Sequence, residues 1–279
     1  MNKTMSIEQQ EAQGIICATK NQPSIIYHSY DQIYPFTTEN IPGYMQDVAD
    51  KEILVVGSSG DHKLNALNLG AKTVDTFDIN CLTKLYTELK EEIIKNFIYE
   101  DFLSFLNNSY PYYVLIREKL LPETRKFWDW YFQEYIDSKS SIYSTRLFHT
   151  RYPIEDYERL NNYFNNLDYE KLRNRLCKGY NGTNYYTDVH KLPSLLTKKY
   201  DQIYLSSIIG SQAIYSKFIN TVLKLYEKLK NNGELYYGYF FQGTSDMIND
   251  YLKELPSTEV REIPSAKSHG TDKVLVLRK

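Results

Sequence analysis

Glu52-Ile-Leu-Val-Val-Gly-Ser-Ser-Gly-Asp61, followed by Thr73-Val-Asp-Thr-Phe-Asp-Ile-Asn80, restricts the fold of this chain more than any other stretch. Ile53 to Val56 is a short, wholly apolar run, as expected of a parallel strand covered on both faces. A Gly/Ser turn follows, in which Gly57 and Gly60 permit torsions and close approaches that a side chain would forbid. Asp61 to Leu69 then has helical patterning, and Gly70 stands where helices commonly end. Residues 73–78 return to a strand pattern and finish on an acid, Asp78. Asp78 lies 21 residues beyond Gly57, close to the ~20 at which doubly wound sheets place a carboxylate on ribose hydroxyls. Strand, glycine turn, helix and acid-tipped strand together predict the nucleotide-binding half of a Rossmann-like α/β sheet.

The turn itself, Gly57-Ser58-Ser59-Gly60-Asp61, departs from G-x-G-x-x-G. Dinucleotide folds use three glycines to bring a pyrophosphate onto a helix N-terminus. Here Asp61 stands where a phosphate would be repelled. An acidic loop suits a cation or zwitterion, such as the sulfonium and ammonium of S-adenosylmethionine, which is the expected cofactor. A dinucleotide and a vestigial, empty site are the alternatives.

The remaining sequence predicts three regions. Residues 1–50 read as an N-terminal lid or cap, with a helix near Ile7–Lys20 and an irregular aromatic stretch from Tyr27 to Tyr44 interrupted by Pro35 and Pro42. Residues 51–106 and 181–279 read as the Rossmann-like core. Within it, Leu82 to Phe97 is an amphipathic helix and Tyr99–Leu106 a second, shorter one. Tyr185 to Val189 ends an extended run. Tyr200–Ser207 reads as a strand, Gln212–Leu229 as a helix, and Asn232-Gly233 as a turn into the strand ending at Phe241. Thr258–Ile263 and Lys273–Leu277 form a terminal strand pair. This alternation predicts a mostly parallel sheet with helices on both faces. Residues 107–180, aromatic and charged and containing Phe127-Trp-Asp-Trp-Tyr-Phe132, read as a helical insertion whose aromatic cluster is a helix core and which shapes the substrate pocket.

Formal net charge is −2 over 279 residues, which gives no electrostatic case for tight binding to a phosphate backbone, so nucleic acid is not the expected partner. Cys17, Cys81 and Cys177 are widely separated, which argues against a zinc site or a disulfide framework and fits a reducing cytoplasm. Residues 1–11 lack the apolar core of a signal peptide, and no run approaches the ~18 apolar residues of a membrane span.

In order, the glycine loop at Gly57–Asp61, Asp78, Asp188-Val-His-Lys-Leu-Pro193 followed by Tyr200-Asp201, and Asn232-Gly233 resemble the class I S-adenosylmethionine-dependent methyltransferases. The resemblance covers about 51–105 and 181–279. It implies a cofactor site made of Gly57, Ser58, Ser59, Gly60 and Asp61 at the loop, Asp78, Ile79 and Asn80 on the ribose side, Asp188 and Val189 on the adenine side, and Ser206 after the fourth strand. In finer detail Ser58-Ser-Gly-Asp61, Asn65-Ala-Leu67, Gly70-Ala71, Asp78-Ile-Asn80 and Leu89-Lys90 are similar to the 3-amino-3-carboxypropyltransferases of betaine-lipid synthesis. Ser207 stands where that family usually has an Asn. The resemblance implies transfer of a methyl or aminocarboxypropyl group to a small or lipid-like acceptor. A non-catalytic module that keeps the fold and holds a partner through the insertion is the competing expectation.

Alignment of a nucleophile with the sulfonium is the main task of such a site, and an amine or hydroxyl acceptor adds the need for a base. Tyr34, Glu39, His62 and His190 lie near the loop in the reading above. Tyr34 and Glu39 are the candidate catalytic residues, as lid side chains contacting the acceptor or the amino-acid end of the cofactor. His62, at the start of the helix after the loop, reads more simply as a solvent-facing neighbour of the cap.

Overall fold

A computed structural model describes residues 33–136, 139–145, 147–148, 156, 158–211, 215–242, 246–265 and 270–279. The helix expected near Ile7–Lys20, the start of the aromatic stretch and Cys17 lie outside these residues.

Seven strands form one sheet: β1 (Glu52–Val56), β2 (Thr73–Asp78), β3 (Asn184–Tyr186), β4 (Tyr200–Tyr204), β5 (Leu229–Phe240), β6 (Glu259–Pro264) and β7 (Thr271–Arg278). Their spatial order is β3-β2-β1-β4-β5-β7-β6. β1 pairs in parallel with β2 and β4, as β2 does with β3 and β4 with β5, while β7 runs antiparallel between β5 and β6. From β1 the chain first builds outward to β2 and β3, then crosses back to add β4 and β5 on the other side. The tips of β1 and β4 therefore flank a topological switch point, where open α/β sheets leave a crevice. This is the expected Rossmann-like sheet with helices on both faces.

The helices are α1 (Ile41–Tyr44), α2 (Asp61–Asn68), α3 (Leu82–Asn96), α4 (Tyr99–Asn107), α5 (Tyr110–Ile116), α6 (Pro122–Tyr135), α7 (Asn166–Cys177), α8 (Leu192–Leu195), α9 (Tyr215–Glu227) and α10 (Asp246–Glu254). On one face, Leu64 and Leu67 of α2 join Leu85 and Leu89 of α3, Trp128 of α6, Leu172 of α7 and Phe36 and Ile41 of the N-terminal segment in a single apolar cluster. On the other, Leu192, Phe218, Val222, Ile248 and Tyr251 from α8, α9 and α10 pack against alternate residues of the central strands.

Local departures from the sequence reading have local causes. β4 ends at Tyr204, short of Ser207, because Ser206 takes a left-handed φ of 58° that removes it from the ladder. β5 begins at Leu229, before Asn232-Gly233, which forms an irregularity within the strand: Asn232 has φ 62°, and the register with β4 shifts between Tyr200 and Gln202. α1 accommodates Pro42 because its first turn needs no donor there, and Asn40 caps it by accepting from the Gly43 amide at 3.0 Å.

Candidate active site at the tips of the central strands

The glycine turn is held against the tip of β2. The Gly57 amide donates to the Phe77 carbonyl at 2.8 Å, and the Gly60 amide closes the turn onto the Gly57 carbonyl at 2.7 Å. A Cβ on Gly57 would lie 3.0 Å from both Cβ and Oδ2 of Asp78. Gly60 has φ 82°, and a Cβ there would meet Thr87 Oγ1 at 2.7 Å. Ser58, between them, bears a left-handed φ of 44° without glycine's freedom. Strained backbone at Ser58 and Ser206 thus marks both sides of the switch point.

Asp78 is half-buried and accepts from the Ser58 amide at 2.7 Å and the Asn80 amide at 2.8 Å. Burial raises its pKa to about 6, against the lowering effect of the Asn80, Ser58 and Ile79 amides. An ionised carboxylate offers about four acceptor positions, so these amides leave capacity for a ligand donor. A cavity of about 320 Å³ opens beside it, lined by Gly57, Gly60, Asn80, Cys81, Thr83 and Thr87, by the Lys63–Glu91 ion pair, and by Tyr180, Tyr185 and Tyr186 among others. Tyr186 registers with Asp78 across β2 and β3 and is 55% exposed, an aromatic face at the rim. The sequence reading missed it. The signal was available in the extended run ending at Asp188, whose register against β2 requires the structure.

Asp61 does not present its charge to a ligand, contrary to the expectation drawn from the acidic loop. It is fully buried. Oδ1 pairs with Lys90 Nζ at 2.7 Å and accepts from the Tyr163 hydroxyl at 2.5 Å. Oδ2 accepts from the Thr37 amide at 2.5 Å and from Ser59 Oγ at 2.9 Å. Lys90 uses its other two protons on the carbonyls of Ser59 and Pro35. Burial lowers the lysine pKa, and the Asp61 charge opposes that shift. The acid is therefore a structural hub joining loop, N-terminal segment, α3 and the residues before α7. Ser59, itself buried, belongs to the same hub.

Glu39 enters the switch-point crevice from the N-terminal segment. Its Oε1 accepts from Ser206 Oγ and from the Ser207 amide at 2.8 Å. Oε2 accepts from the Tyr44 hydroxyl at 2.8 Å and lies 3.4 Å from His62 Nε2. Glu39, Tyr44 and His62 are 2%, 3% and 1% exposed. Burial acts to raise the Glu39 pKa, but hydrogen bonding and charge from His62, with Ser206 and Tyr44, hold it below its ordinary value. Burial and the adjacent Glu39 push the Tyr44 phenol well above its usual range. With both oxygens engaged by protein donors, Glu39 faces the protein in this state. Tyr34 is half-buried one residue after the Ile33–Phe148 bridge.

The other candidates are spread around the strand tips. Asn80, buried, accepts from the Leu82 amide at 3.0 Å just ahead of α3, and Ile79 is half-buried beside Asp78. Asp188 forms a local turn, accepting from the His190 amide at 2.7 Å, and Val189 is 7% exposed in the second apolar cluster. Neither Asp188, Val189 nor Ser206 lines the cavity beside Asp78. Among the described residues no group of His, Cys, Asp and Glu could hold a metal, and no helix is long and apolar enough to cross a membrane.

No family model and no curated protein matches the chain. Solved structures similar to it include an rRNA methylase from Streptococcus thermophilus, at 10% identity and a TM-score of 0.38, covering 83% of this chain and 89% of the other. A ribosomal protein L11 methylase from Lactobacillus delbrueckii subsp. bulgaricus has 13% identity and a TM-score of 0.39, over 84% and 73%. The N-methyltransferase NodS of Bradyrhizobium japonicum WM9, in complex with S-adenosyl-L-homocysteine, has 8% identity and a TM-score of 0.40, over 83% and 79%. The architecture assigned above rests on the strand order and register of this chain.

Proposed function

We propose that the chain is an S-adenosylmethionine-dependent group transferase that moves a methyl or 3-amino-3-carboxypropyl group to a small or lipid-like acceptor. One observation carries this reading. Asp78, on the tip of β2 and beside the glycine turn, retains acceptor capacity next to a cavity, as a ribose diol requires. The remaining residues fit the same cofactor. The exposed Tyr186 ring offers a stacking face within reach of a base whose sugar is held by Asp78. Gly57 lets the turn approach the Asp78 carboxylate, and Asp61, paired with Lys90, supports the turn from behind and is not itself a contact for the cofactor. When bound, the cofactor supplies an electrophilic carbon and a thioether leaving group. The protein's part is to hold the sugar, orient the acceptor and exclude water. A net charge of −2 favours a small or lipid-like acceptor over a nucleic acid.

Calorimetry with S-adenosylhomocysteine tests the reading. Saturable binding is expected, weakened at least tenfold by Asp78→Ala and by several-fold in Tyr186→Ala. Absence of heat with the wild-type chain would leave the non-catalytic binding module as the better account. Product analysis separates the two transfers, because methyl transfer leaves S-adenosylhomocysteine and aminocarboxypropyl transfer leaves methylthioadenosine.

A further inference from the structure

Away from its rim, the cavity beside Asp78 ends at a charged pair. Thr83, Thr87 and Glu91, spaced by four, line it from one face of α3. Thr83 stands level with Asp78, since a Cβ on Gly57 would lie 3.2 Å from its Oγ1 and 3.0 Å from Asp78 Oδ2. Two helical turns separate Thr83 from Glu91, about 12 Å at 1.5 Å per residue. The rim is exposed at Tyr186, whereas Lys63 and Glu91 at the inner end are 5% and 6% exposed. Glu91 Oε1 lies 2.7 Å from Lys63 Nζ, yet no aligned hydrogen bond reaches this buried oxygen. The contact is one of charge. Among the described residues Lys63 has no other oxygen partner, and its ammonium lies 4.8 Å from the centre of the Tyr180 ring. The Tyr180 hydroxyl donates to the second carboxylate oxygen, Oε2, at 2.7 Å. An ammonium has three donors and a carboxylate about four acceptor positions. Both groups therefore keep hydrogen-bonding capacity on the cavity wall. Burying an ion pair in that condition is costly, and a fold retains it most readily where a ligand completes it.

We propose that Lys63 and Glu91, the latter positioned by Tyr180, form a subsite for a zwitterionic α-amino-acid group, that of the cofactor's arm. The inference rests on the proposed transferase reading and gives the arm its partners. Neither acid near the glycine turn does so, because Asp61 pairs with Lys90 and both Glu39 oxygens are engaged by protein donors. Lys63 donates to the arm's carboxylate, and Glu91 Oε1 accepts from its ammonium. Two opposite charges on one ligand carbon thus meet two opposite charges side by side on the protein, and the buried end stays neutral. An anion alone would face Glu91 and a cation alone would face Lys63, so a zwitterion is the better match. The other charged side chains on this wall of α3 are already occupied. Glu88 accepts from the Leu121 amide and the Thr124 hydroxyl, and Lys84 pairs with Glu123. With the ribose at Asp78, the arm would run inward past Thr83 and Thr87 to reach the pair.

Calorimetry of the full chain with three probes tests the subsite. S-adenosylhomocysteine carries the whole arm, methylthioadenosine keeps the nucleoside and thioether without it, and the aminopropyl thioether of adenosine keeps the ammonium but lacks the carboxylate. The wild type is expected to bind S-adenosylhomocysteine at least tenfold more tightly than methylthioadenosine, the scale of a charge-assisted hydrogen bond. Lys63→Met should remove roughly tenfold or more of the S-adenosylhomocysteine affinity and leave the other two probes within about threefold. Glu91→Gln should weaken both amine-bearing probes and leave methylthioadenosine within about threefold, which also shows that the variant is folded. Equal wild-type affinities for S-adenosylhomocysteine and methylthioadenosine would overturn the proposal, as would a variant that weakens the two alike. A measurement without substitution guards against variants that fail to fold. In the wild type with S-adenosylhomocysteine bound, a nuclear Overhauser effect is expected between the arm's α-proton and the Tyr180 ring, assigned with Tyr180→Phe. Its absence would place the arm elsewhere and overturn the subsite while leaving the cofactor reading intact. A wild-type chain that binds neither nucleoside would instead overturn the cofactor reading beneath it.

Discussion

Asp78 is ionised near neutrality in surroundings that disfavour its charge, and this has a definite pH signature. Its folded-state pKa of about 6 lies above the ordinary 3.8. A carboxyl raised in this way contributes stability that is fully present below about 3.8 and lost as pH rises through about 6. The stability of the wild type relative to Asp78→Ala, measured by urea unfolding without ligand, is therefore expected to increase as pH falls from 7.5 to 5. Ligand binding should run the other way, with S-adenosylhomocysteine affinity declining below about pH 6 as the acceptor oxygen gains a proton. Parallel trends would remove Asp78 from the binding site. Asp61 and Lys90 illustrate the opposite use of charge. Lys90→Met leaves a buried carboxylate without its cation, and a loss of about 3–5 kcal/mol is expected. Asp61→Asn combined with Lys90→Met should recover part of that loss. Additive costs in the double variant would show that the two side chains do not stabilise each other.

The contact between the glycine turn and α3 sets the mouth of the site. Gly60 meets Thr87 and has a left-handed φ, so Gly60→Ala combines a torsional penalty of about 1–3 kcal/mol with a clash. Adding Thr87→Ala should relieve the clash and leave the torsional part, a separation that thermal unfolding of the three variants would reveal. If Thr87→Ala rescues nothing, α3 is not what confines the turn. Spacing along the sequence made this element pair legible: apolar run, glycines and the acid 21 residues on each correspond to a strand tip or turn. The direction of Asp61 was not legible, because its partner Lys90 and the Tyr163 hydroxyl lie 29 and 102 residues away. The same holds for His62. Its cap-adjacent position suggested solvent, whereas residues from the N-terminal segment bury it. Glu39 was singled out by location, but Tyr44 and Ser206 complete its surroundings only after the sheet has brought β4 beside β1. α10 was not read from the sequence, although Ile248 and Tyr251 fill the second cluster.

At the scale of the molecule, the division into a Rossmann-like core and a helical insertion is one of sequence, and the packing runs across it. Trp128, fully buried on α6, donates from Nε1 to the Leu85 carbonyl of α3 at 3.0 Å. Tyr163, before α7, reaches Asp61 at the glycine turn, and Phe36 of the N-terminal segment packs edge-on to Phe164 at 5.0 Å. Such continuity favours one cooperative transition. The chain has two tryptophans, Trp128 and Trp130, both within the insertion. Tryptophan fluorescence therefore follows residues 107–180, while far-UV circular dichroism follows all helices and strands. In urea the two probes are expected to give coincident midpoints and slopes. S-adenosylhomocysteine at about 100 times its dissociation constant should raise the stability seen by both by the same ~2.7 kcal/mol, although neither tryptophan lines the cavity beside Asp78. A fluorescence transition at lower urea that ignores the ligand would mean that the insertion unfolds by itself. The hub at Asp61 and the packing on α3 would then be too weak to couple it to the proposed cofactor site.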